Sequence, residues 1–524
     1  MISGNMLIGQ SAVRGEDGVL SAINPATRET IGPDFGAGGI ADIEQACLLA
    51  EQACDSYRET TAQQRAQFLE AIASGLLALG STLIERAALE SGLPIGRLLM
   101  ERGRTVSQLR LFAKVVRDGH YLGVTLDSAL PARIPARADL RLRKIALGPV
   151  AVFGASNFPL AFSVAGGDSA AALAAGCPIV VKAHEAHLGT SELVGRVIQR
   201  AVADHQLPEG VFSLLMGDGN QFGQALVSHP AIKAVAFTGS RQGGMALIRT
   251  AAQRPEPIPV YAEMSCINPV FLLPHALSTR AGEIGRGFVE AMTMSAGQMC
   301  TQPGLVIAVE GQHLDRFCST ALDALGKKTA QTLLTPGIHQ AYLEGIEWMG
   351  NSEGVTTLGR GCTAESPCAA QATLFATQAS SFLRTGRLGD EIFGPSSLIV
   401  ACKNEDEMLA VAQYLSGQLT ATLHLDDADH ALARKLLPIL ERKAGRIVTN
   451  GYPNHVEVSH AMVHGGPFPA SSDSRSSAVG AGAIDRFLRP VCYQDLPAAL
   501  MPAALQDGNP SGLWRTLDGS CVSA

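Results

Sequence analysis

Cys300 lies in Ser295-Ala-Gly-Gln-Met-Cys300-Thr, which ends the helix-patterned stretch Ala281–Met294 and sets a cysteine close to Gly297, a residue that permits a sharp turn. A thiol delivered to a cleft in this way can act as a nucleophile in covalent catalysis. Taken alone, a cysteine after a helix is more often a packing residue, so its chemistry rests on what surrounds it. A second feature is Gly239-Ser-Arg-Gln-Gly-Gly244, which follows the apolar run Ala234–Phe237 and opens a helix-patterned segment. Backbone N–H groups at such a start can hold a pyrophosphate, although the spacing is not that of a GxGxxG turn. Three more motifs stand along the chain: Gly154-Ala-Ser-Asn157-Phe-Pro159, Tyr261-Ala-Glu263-Met-Ser-Cys-Ile-Asn-Pro269 and Glu391-Ile-Phe393-Gly-Pro395.

The elements that must position these groups are legible as periodicities. Apolar residues recur at helical spacing in Ile43–Ala53, Arg65–Leu77, Leu83–Ser91 and Met100–Val116. After the Gly148-Pro149 turn come short apolar runs at Val150–Phe153, Pro178–Lys182, Val211–Leu215, Ala234–Phe237 and Pro269–Leu273, most of them separated by helical patterns. That rhythm predicts βαβ units and a parallel sheet. A second set, Gly304–Val309, Ser397–Ala401, Thr420–Leu425 and Arg446–Asn450, predicts a second α/β domain. Asp139–Leu147 alternates apolar and basic residues, as a solvent-facing or subunit-bridging strand does, and Gly465–Gly482 reads as a loop.

Composition narrows the classes. With 524 residues, 46% hydrophobic and only 17% charged, the chain can bury a large core and is not a disordered protein. A net charge of −7, without basic clusters interleaved with aromatics, argues against a nucleic-acid partner. No apolar run approaches the ~20 residues of a membrane span and no signal sequence is evident, so a cytoplasmic location is expected. The 11 cysteines are scattered, with no paired CxxC units, so neither a disulfide framework nor a metal site is expected.

Five motifs in this order, those of Asn157, Gly239, Glu263, Cys300 and Glu391, resemble the aldehyde dehydrogenase superfamily. The resemblance runs from Ile23-Asn-Pro-Ala-Thr to Gly465-Gly-Pro-Phe-Pro and the last strand. It implies an α/β fold of two doubly wound, Rossmann-like domains with a β-arm for oligomerisation. Residues 1–124 and 151–268 would bind the dinucleotide, 269–482 would form the catalytic domain, 125–150 and 483–507 the arm, and 508–524 a tail. Cys300 would form a thiohemiacetal and then a thioester, Asn157 and the Cys300 N–H would hold the alkoxide, and Glu263 would be the hydrolytic base. Glu263 also argues against the CoA-acylating branch. His464, before Gly-Gly where many members have an aromatic residue, would stand near the thiol and nicotinamide and help hold the thiolate or orient substrate.

The cofactor residues implied are Ser156, Lys182, Glu185, Phe237, Thr238, Gly239, Ser240, Gly244, Glu391 and Phe393. A carboxylate at Glu185 accepts from a ribose 2′-OH and repels a 2′-phosphate, which favours NAD, with NADP the second possibility. Longer phrases, among them His460-Ala-Met-Val-His464-Gly-Gly-Pro-Phe-Pro, resemble the branch acting on 2,5-dioxovalerate (α-ketoglutaric semialdehyde), which is also related to a long-chain fatty aldehyde dehydrogenase. A substrate carboxylate taken out of water needs a cationic partner. Arg104 is the candidate, with Gln108 on its face at i+4, and Phe158 is a further candidate substrate residue. The rivals are oxidation of medium or long aliphatic aldehydes and a non-oxidising protein on the same fold. The arm, whose strand Asp139–Leu147 would be an exposed edge in a monomer, suggests a homo-oligomer, a dimer ahead of a tetramer.

Overall fold

The computed structural model describes residues 2–217 and 219–522. Five strands of the first sheet are parallel, in the order Val260–Glu263, Ala234–Thr238, Val150–Phe153, Ile179–Lys182, Phe212–Leu215, and Met6–Ile8 and Ser11–Val13 extend it antiparallel. Val150–Phe153 and Phe212–Leu215 are buried along their whole length, which is why they read as continuous apolar runs and not as alternating ones. The four helices predicted near the start form as Ile40–Arg58, Ala62–Ala78, Gly80–Ser91 and Ile95–Asp118. Each begins or ends a few residues beyond its apolar pattern, because the terminal turns need no core-facing residue.

The second sheet has the order Val355–Arg360, Thr373–Gln378, Ser396–Cys402, Leu305–Val309, Pro269–Leu272, Gln418–His424, Ala444–Thr449, parallel except for its first strand. Val355–Arg360 escapes a pattern search because it is a half-exposed edge with no apolar run. The chain crosses from the first sheet to the second through residues 264–268 alone. Glu263 ends the last strand before that crossing, and Cys300 precedes the central strand Leu305–Val309 after it.

A third sheet runs Leu488–Gln494, Leu140–Ala146, Thr125–Asp127, Arg515–Leu517, Ser520–Val522. The strand expected as an exposed edge is therefore interior. Leu488–Gln494 returns antiparallel in the register Leu488↔Ala146 to Gln494↔Leu140, and Thr125–Asp127 covers the other side. The open flank on that side is Leu488–Gln494 itself, which carries Pro490 and lacks one donor there. Residues beyond 508, read as a tail, add the two final strands to this sheet. No single helix among the described residues is long and apolar enough to cross a membrane, and all 11 cysteines are free.

Candidate active site

The nucleophile rides on a turn held from several sides. After the helix Pro274–Thr293 the chain reverses through Ser295, Ala296 and Gly297 at φ of 53°, 57° and 67°. Two of these are not glycine, and a left-handed residue with a β-carbon costs about 1–3 kcal/mol that neighbouring contacts must offset. The Ala296 N–H donates to Gln331 Oε1 (3.0 Å), Gln298 Oε1 accepts from the Leu334 N–H (2.9 Å), and Arg97 Nε donates to Ser295 Oγ (3.1 Å). A β-carbon at Gly297 would stand 2.4 Å from the Gly394 backbone, so the turn presses directly on the Glu391–Pro395 motif. The Cys300 carbonyl accepts from Asn268 Nδ2 (2.8 Å) and from the Cys266 thiol (3.1 Å). Cys266 thus anchors the nucleophile's backbone. Asn268 does so too, although the motif containing it gives no hint of a partner 32 residues away.

Glu263 and His464 meet this turn from two other segments. Met264 N–H donates to the Ala470 carbonyl and Ser472 N–H to the Ala262 carbonyl (2.8 and 2.9 Å), so the chain after His464 runs beside the edge strand Val260–Glu263. The His464 N–H donates to Ser477 Oγ (2.9 Å). His464 Nε2 then lies 2.9 Å from Glu263 Oε1 and 3.5 Å from Cys300 Sγ, one ring nitrogen shared by a carboxylate and a thiol. Both side chains are buried, 1% exposed for His464 and 4% for Glu263, and Glu263 Oε2 has no partner among the described residues. Burial, together with the Glu263 charge, pushes the Cys300 thiol well above its ordinary range. At neutral pH the sulfur therefore keeps its proton until an acceptor takes it, and the two nearest acceptors are these side chains.

Asn157 is buried and its Nδ2 donates to the Gln298 carbonyl (3.0 Å), which ties the Asn157 loop to the nucleophile turn. One amide hydrogen remains for a substrate oxygen. No acceptor among the described residues takes the Cys300 N–H. The same loop is clamped by a buried pair on the helix Ile95–Asp118. Arg97 is bonded to Glu101 and also donates from Nη2 to the Asn157 carbonyl (2.7 Å), while its guanidinium lies 4.5 Å from the Phe158 ring centroid. Glu101 Oε1 accepts from the Leu160 and Ala161 N–H groups (2.8 and 2.9 Å). Sequence reasoning missed this clamp; its one signal was the i,i+4 spacing of Arg97 and Glu101.

A pocket of about 570 Å³ opens onto Cys300 and His464, and Arg97, Arg104, Phe158 and Phe162 line it. Arg104 is half-buried, donates to the Val456 carbonyl and stands 5.8 Å from the Phe162 ring centroid. Unlike Arg97, it has no carboxylate partner within 4.0 Å among the described residues. Gln108 does not line the pocket. It is buried on the core side of the helix, and Ser107 takes the pocket-facing position, continuing the stripe Arg97, Met100, Glu101, Arg104.

A second pocket, about 200 Å³, lies outside the carboxyl ends of the parallel strands Val150–Phe153, Ile179–Lys182 and Ala234–Thr238. Lys182 and Phe237 line it, and Lys182 Nζ pairs with the half-exposed Glu185 (3.0 Å). Sheets of this kind take dinucleotides at that end, and the cationic Lys182 beside the Phe153 and Phe237 rings suits part of one. Gly243 of the Gly239–Gly244 turn lines the same pocket. Gly239 N–H donates to the Glu263 carbonyl, Arg241 N–H to Ser265 Oγ, and Gly243 N–H to Ser240 Oγ, so three of its donors are already engaged. A β-carbon at Gly239 would meet the Phe237 ring at 2.7 Å, and one at Gly244 would meet the Met264 side chain at 2.8 Å. Ser156, half-buried, lines neither pocket, and Phe393 packs on the core of the first sheet. Burial raises the Glu391 carboxyl to about 7 against the opposing bonds from Ser265 and the Cys266 N–H.

Residues 13–482 match the aldehyde dehydrogenase family. The chain belongs to that family. Like its members, this aldehyde dehydrogenase is an enzyme that oxidises aldehydes to carboxylic acids. It is 58% identical over 520 residues to a protein of Azospirillum brasilense named alpha-ketoglutaric semialdehyde dehydrogenase 2, covering 99% of each chain. A protein of Acinetobacter baylyi named alpha-ketoglutaric semialdehyde dehydrogenase is 45% identical over 519 residues, 99% of this chain and 98% of its own. Among solved structures, Pseudomonas syringae aldehyde dehydrogenase C, crystallised with NAD+ and octanal, has a TM-score of 0.79 at 22% identity, covering 94% of this chain and 96% of its own. The NAD+ complex of a Bacillus cereus aldehyde dehydrogenase has a TM-score of 0.78 at 22% identity with the same coverage. At that identity the likeness is one of fold.

Two outcomes follow from this geometry. Because the Glu263 charge holds the Cys300 thiol up, Glu263→Gln lowers its pKa, and iodoacetamide alkylates Cys300 of the cofactor-free variant faster than wild type at pH 7.5. Steady-state aldehyde oxidation by the same variant falls by about 10²–10⁴-fold, the usual worth of a positioned base. Slower alkylation would show that Glu263 does not set the thiol's charge. Arg97→Met releases both the Asn157 loop and the Ser295 turn, and kcat is expected to fall by about 10²-fold. Arg97→Lys recovers little, because the three bonds leave from three different guanidinium nitrogens and a single compact ammonium cannot span the three acceptors. Unchanged kcat with an unchanged melting curve would show that the clamp is dispensable.

Proposed function

We propose that this enzyme oxidises 2,5-dioxovalerate (α-ketoglutaric semialdehyde) to 2-oxoglutarate, with NAD as the hydride acceptor. The observation that carries the substrate is Arg104, a guanidinium facing the thiol's pocket without a carboxylate of its own. Burial lowers its affinity for its proton, so an anionic ligand is favourable there. The substrate named for two relatives of 58% and 45% identity has such a carboxylate.

The reaction assigned to the site begins when Cys300 gives up its proton to the His464–Glu263 pair and its sulfur bonds to the aldehyde carbon. Asn157 Nδ2 and the Cys300 N–H donate to the resulting alkoxide, each such donor being worth about 3–4 kcal/mol. A nicotinamide, when bound, would accept the hydride that leaves this carbon as the alkoxide becomes a thioester carbonyl. The thioester left on Cys300 is attacked by a water that loses its proton to Glu263, with His464 holding that carboxylate in place, and the carboxylic acid leaves. Lys182 and Glu185 would hold the adenosine ribose, where the Glu185 carboxylate disfavours a 2′-phosphate. A homodimer joined through the open edge Leu488–Gln494 is our reading of the arm. Eleven free cysteines suit a reducing cytoplasm.

Phe158, Phe162, Met294, Met299 and Met462 also line the pocket, and this apolar wall favours the second reading, oxidation of aliphatic aldehydes. Steady-state rates with α-ketoglutaric semialdehyde and with hexanal, each with NAD and NADP, separate the two. Wild type is expected to prefer the semialdehyde and NAD. Arg104→Ala lowers kcat/KM for the semialdehyde by about 10–10²-fold, the loss of one charged hydrogen-bonded contact, and leaves hexanal oxidation in place. A preference for hexanal, or no effect of Arg104→Ala, overturns the substrate assignment.

A further inference from the structure

We infer that Glu263, Cys300 and His464 together form a binding site for a thiol-seeking divalent cation, Zn2+ above all, and that its occupation switches the enzyme off. One ligand atom from each residue, a carboxylate oxygen, a sulfur and an imidazole nitrogen, lies within 4.8 Å of the others. This is a donor set that zinc takes, with three protein ligands and a fourth position left open. Zinc bonds of about 2.0–2.1 Å to nitrogen, 2.0–2.2 Å to oxygen and 2.3 Å to sulfur place tetrahedral donors about 3.3–3.6 Å apart. His464 Nε2 is already 3.5 Å from Cys300 Sγ and 2.9 Å from Glu263 Oε1, so the imidazole and carboxylate need to part only slightly.

Two further observations point to a cation. Glu263 is nine-tenths buried or more and its Oε2 has no partner, an uncompensated acceptor in a desolvated place. The fourth position faces the pocket of about 570 Å³, where a water completes the coordination. Binding breaks the Cys300 S–H bond, forms a sulfur–zinc bond and sends the proton to solvent, with no electron transferred. Thiolate and carboxylate then neutralise the ion, so the buried assembly carries no net charge. Magnesium, which demands octahedral oxygen ligands, does not fit. Because the ligands are the nucleophile and the base of the proposed reaction, the inhibitory consequence rests on that reading; the binding itself rests on the geometry alone.

The test uses the full-length enzyme, stripped of metal and free of NAD and aldehyde, titrated with Zn2+ against a chromophoric zinc chelator. One equivalent per chain is expected, with affinity weakened about 10-fold or more in His464→Phe and in Cys300→Ala. Co2+ produces a thiolate-to-metal absorption band in wild type that Cys300→Ala lacks, and Mg2+ does not compete. Where His464→Phe fails to fold by circular dichroism, Cys300→Ser, which changes a single atom, carries the comparison. Zinc uptake that ignores these substitutions, or a cobalt complex without the thiolate band, overturns the site. In a separate assay, aldehyde oxidation disappears as zinc loads and returns with EDTA. Zinc uptake by a metal-free enzyme that oxidises no aldehyde would leave the metal site standing and sink the proposed reaction instead. Oxidation that persists in the zinc-loaded enzyme overturns the switch.

Discussion

A buried carboxylate sharing one imidazole nitrogen with a buried thiol is the contact on which the rest of this structure depends. Glu263, His464 and Cys300 come from the end of an edge strand, a glycine-rich loop and a strained turn, and a charge at such depth is tolerated only where it is paired. The five-residue crossing between the two sheets makes the meeting possible. It ends one sheet at Glu263 and starts the next at Pro269, so that Cys266 and Asn268 within it reach the Cys300 carbonyl. The base and the nucleophile are thus joined by covalent chain on one side and by hydrogen bonds on the other.

Precision at the thiol is obtained with backbone strain. Ser295 and Ala296 hold left-handed conformations that a free chain avoids, and Gly297 lies against the Gly394 backbone at a distance no side chain would permit. Gln331 and Arg97 reach the turn from two other elements, and Gln298 ties it to Leu334 from within. Arg97 couples this turn to the Asn157 loop, so the sulfur and the amide that faces it move together. The two arginines on one helix face then divide the work: Arg97 is neutralised by Glu101 and holds backbone, while Arg104 keeps its charge available to the pocket.

Much of the fold was legible in the chain itself. The central parallel strands of both sheets are buried on both faces, so they had to be apolar runs, and Val150–Phe153 and Leu305–Val309 appear where those runs stand. Val355–Arg360 and the N-terminal strands were not legible, since an edge or an antiparallel extension needs no such run. The strand Leu140–Ala146 showed its alternation but not its neighbours, because pairing is decided by residues more than 340 positions away in Leu488–Gln494.

The same division holds at the site. Residue types and motif order determined which groups could react: a thiol after a turn, a carboxylate ending a strand, an amide two residues before a proline, a histidine before two glycines. Periodicity also placed Arg104 on the right helix. Only the tertiary structure decided that Gln108 turns to the core, that the Phe237 ring packs against the glycines after Thr238, and that Arg97 is a clamp. It alone brought His464 to Glu263 across 201 residues. The physical reason is that local sequence sets propensity and spacing along one chain segment, whereas a distance of 2.9 Å between distant segments is the outcome of packing two sheets and their loops against each other.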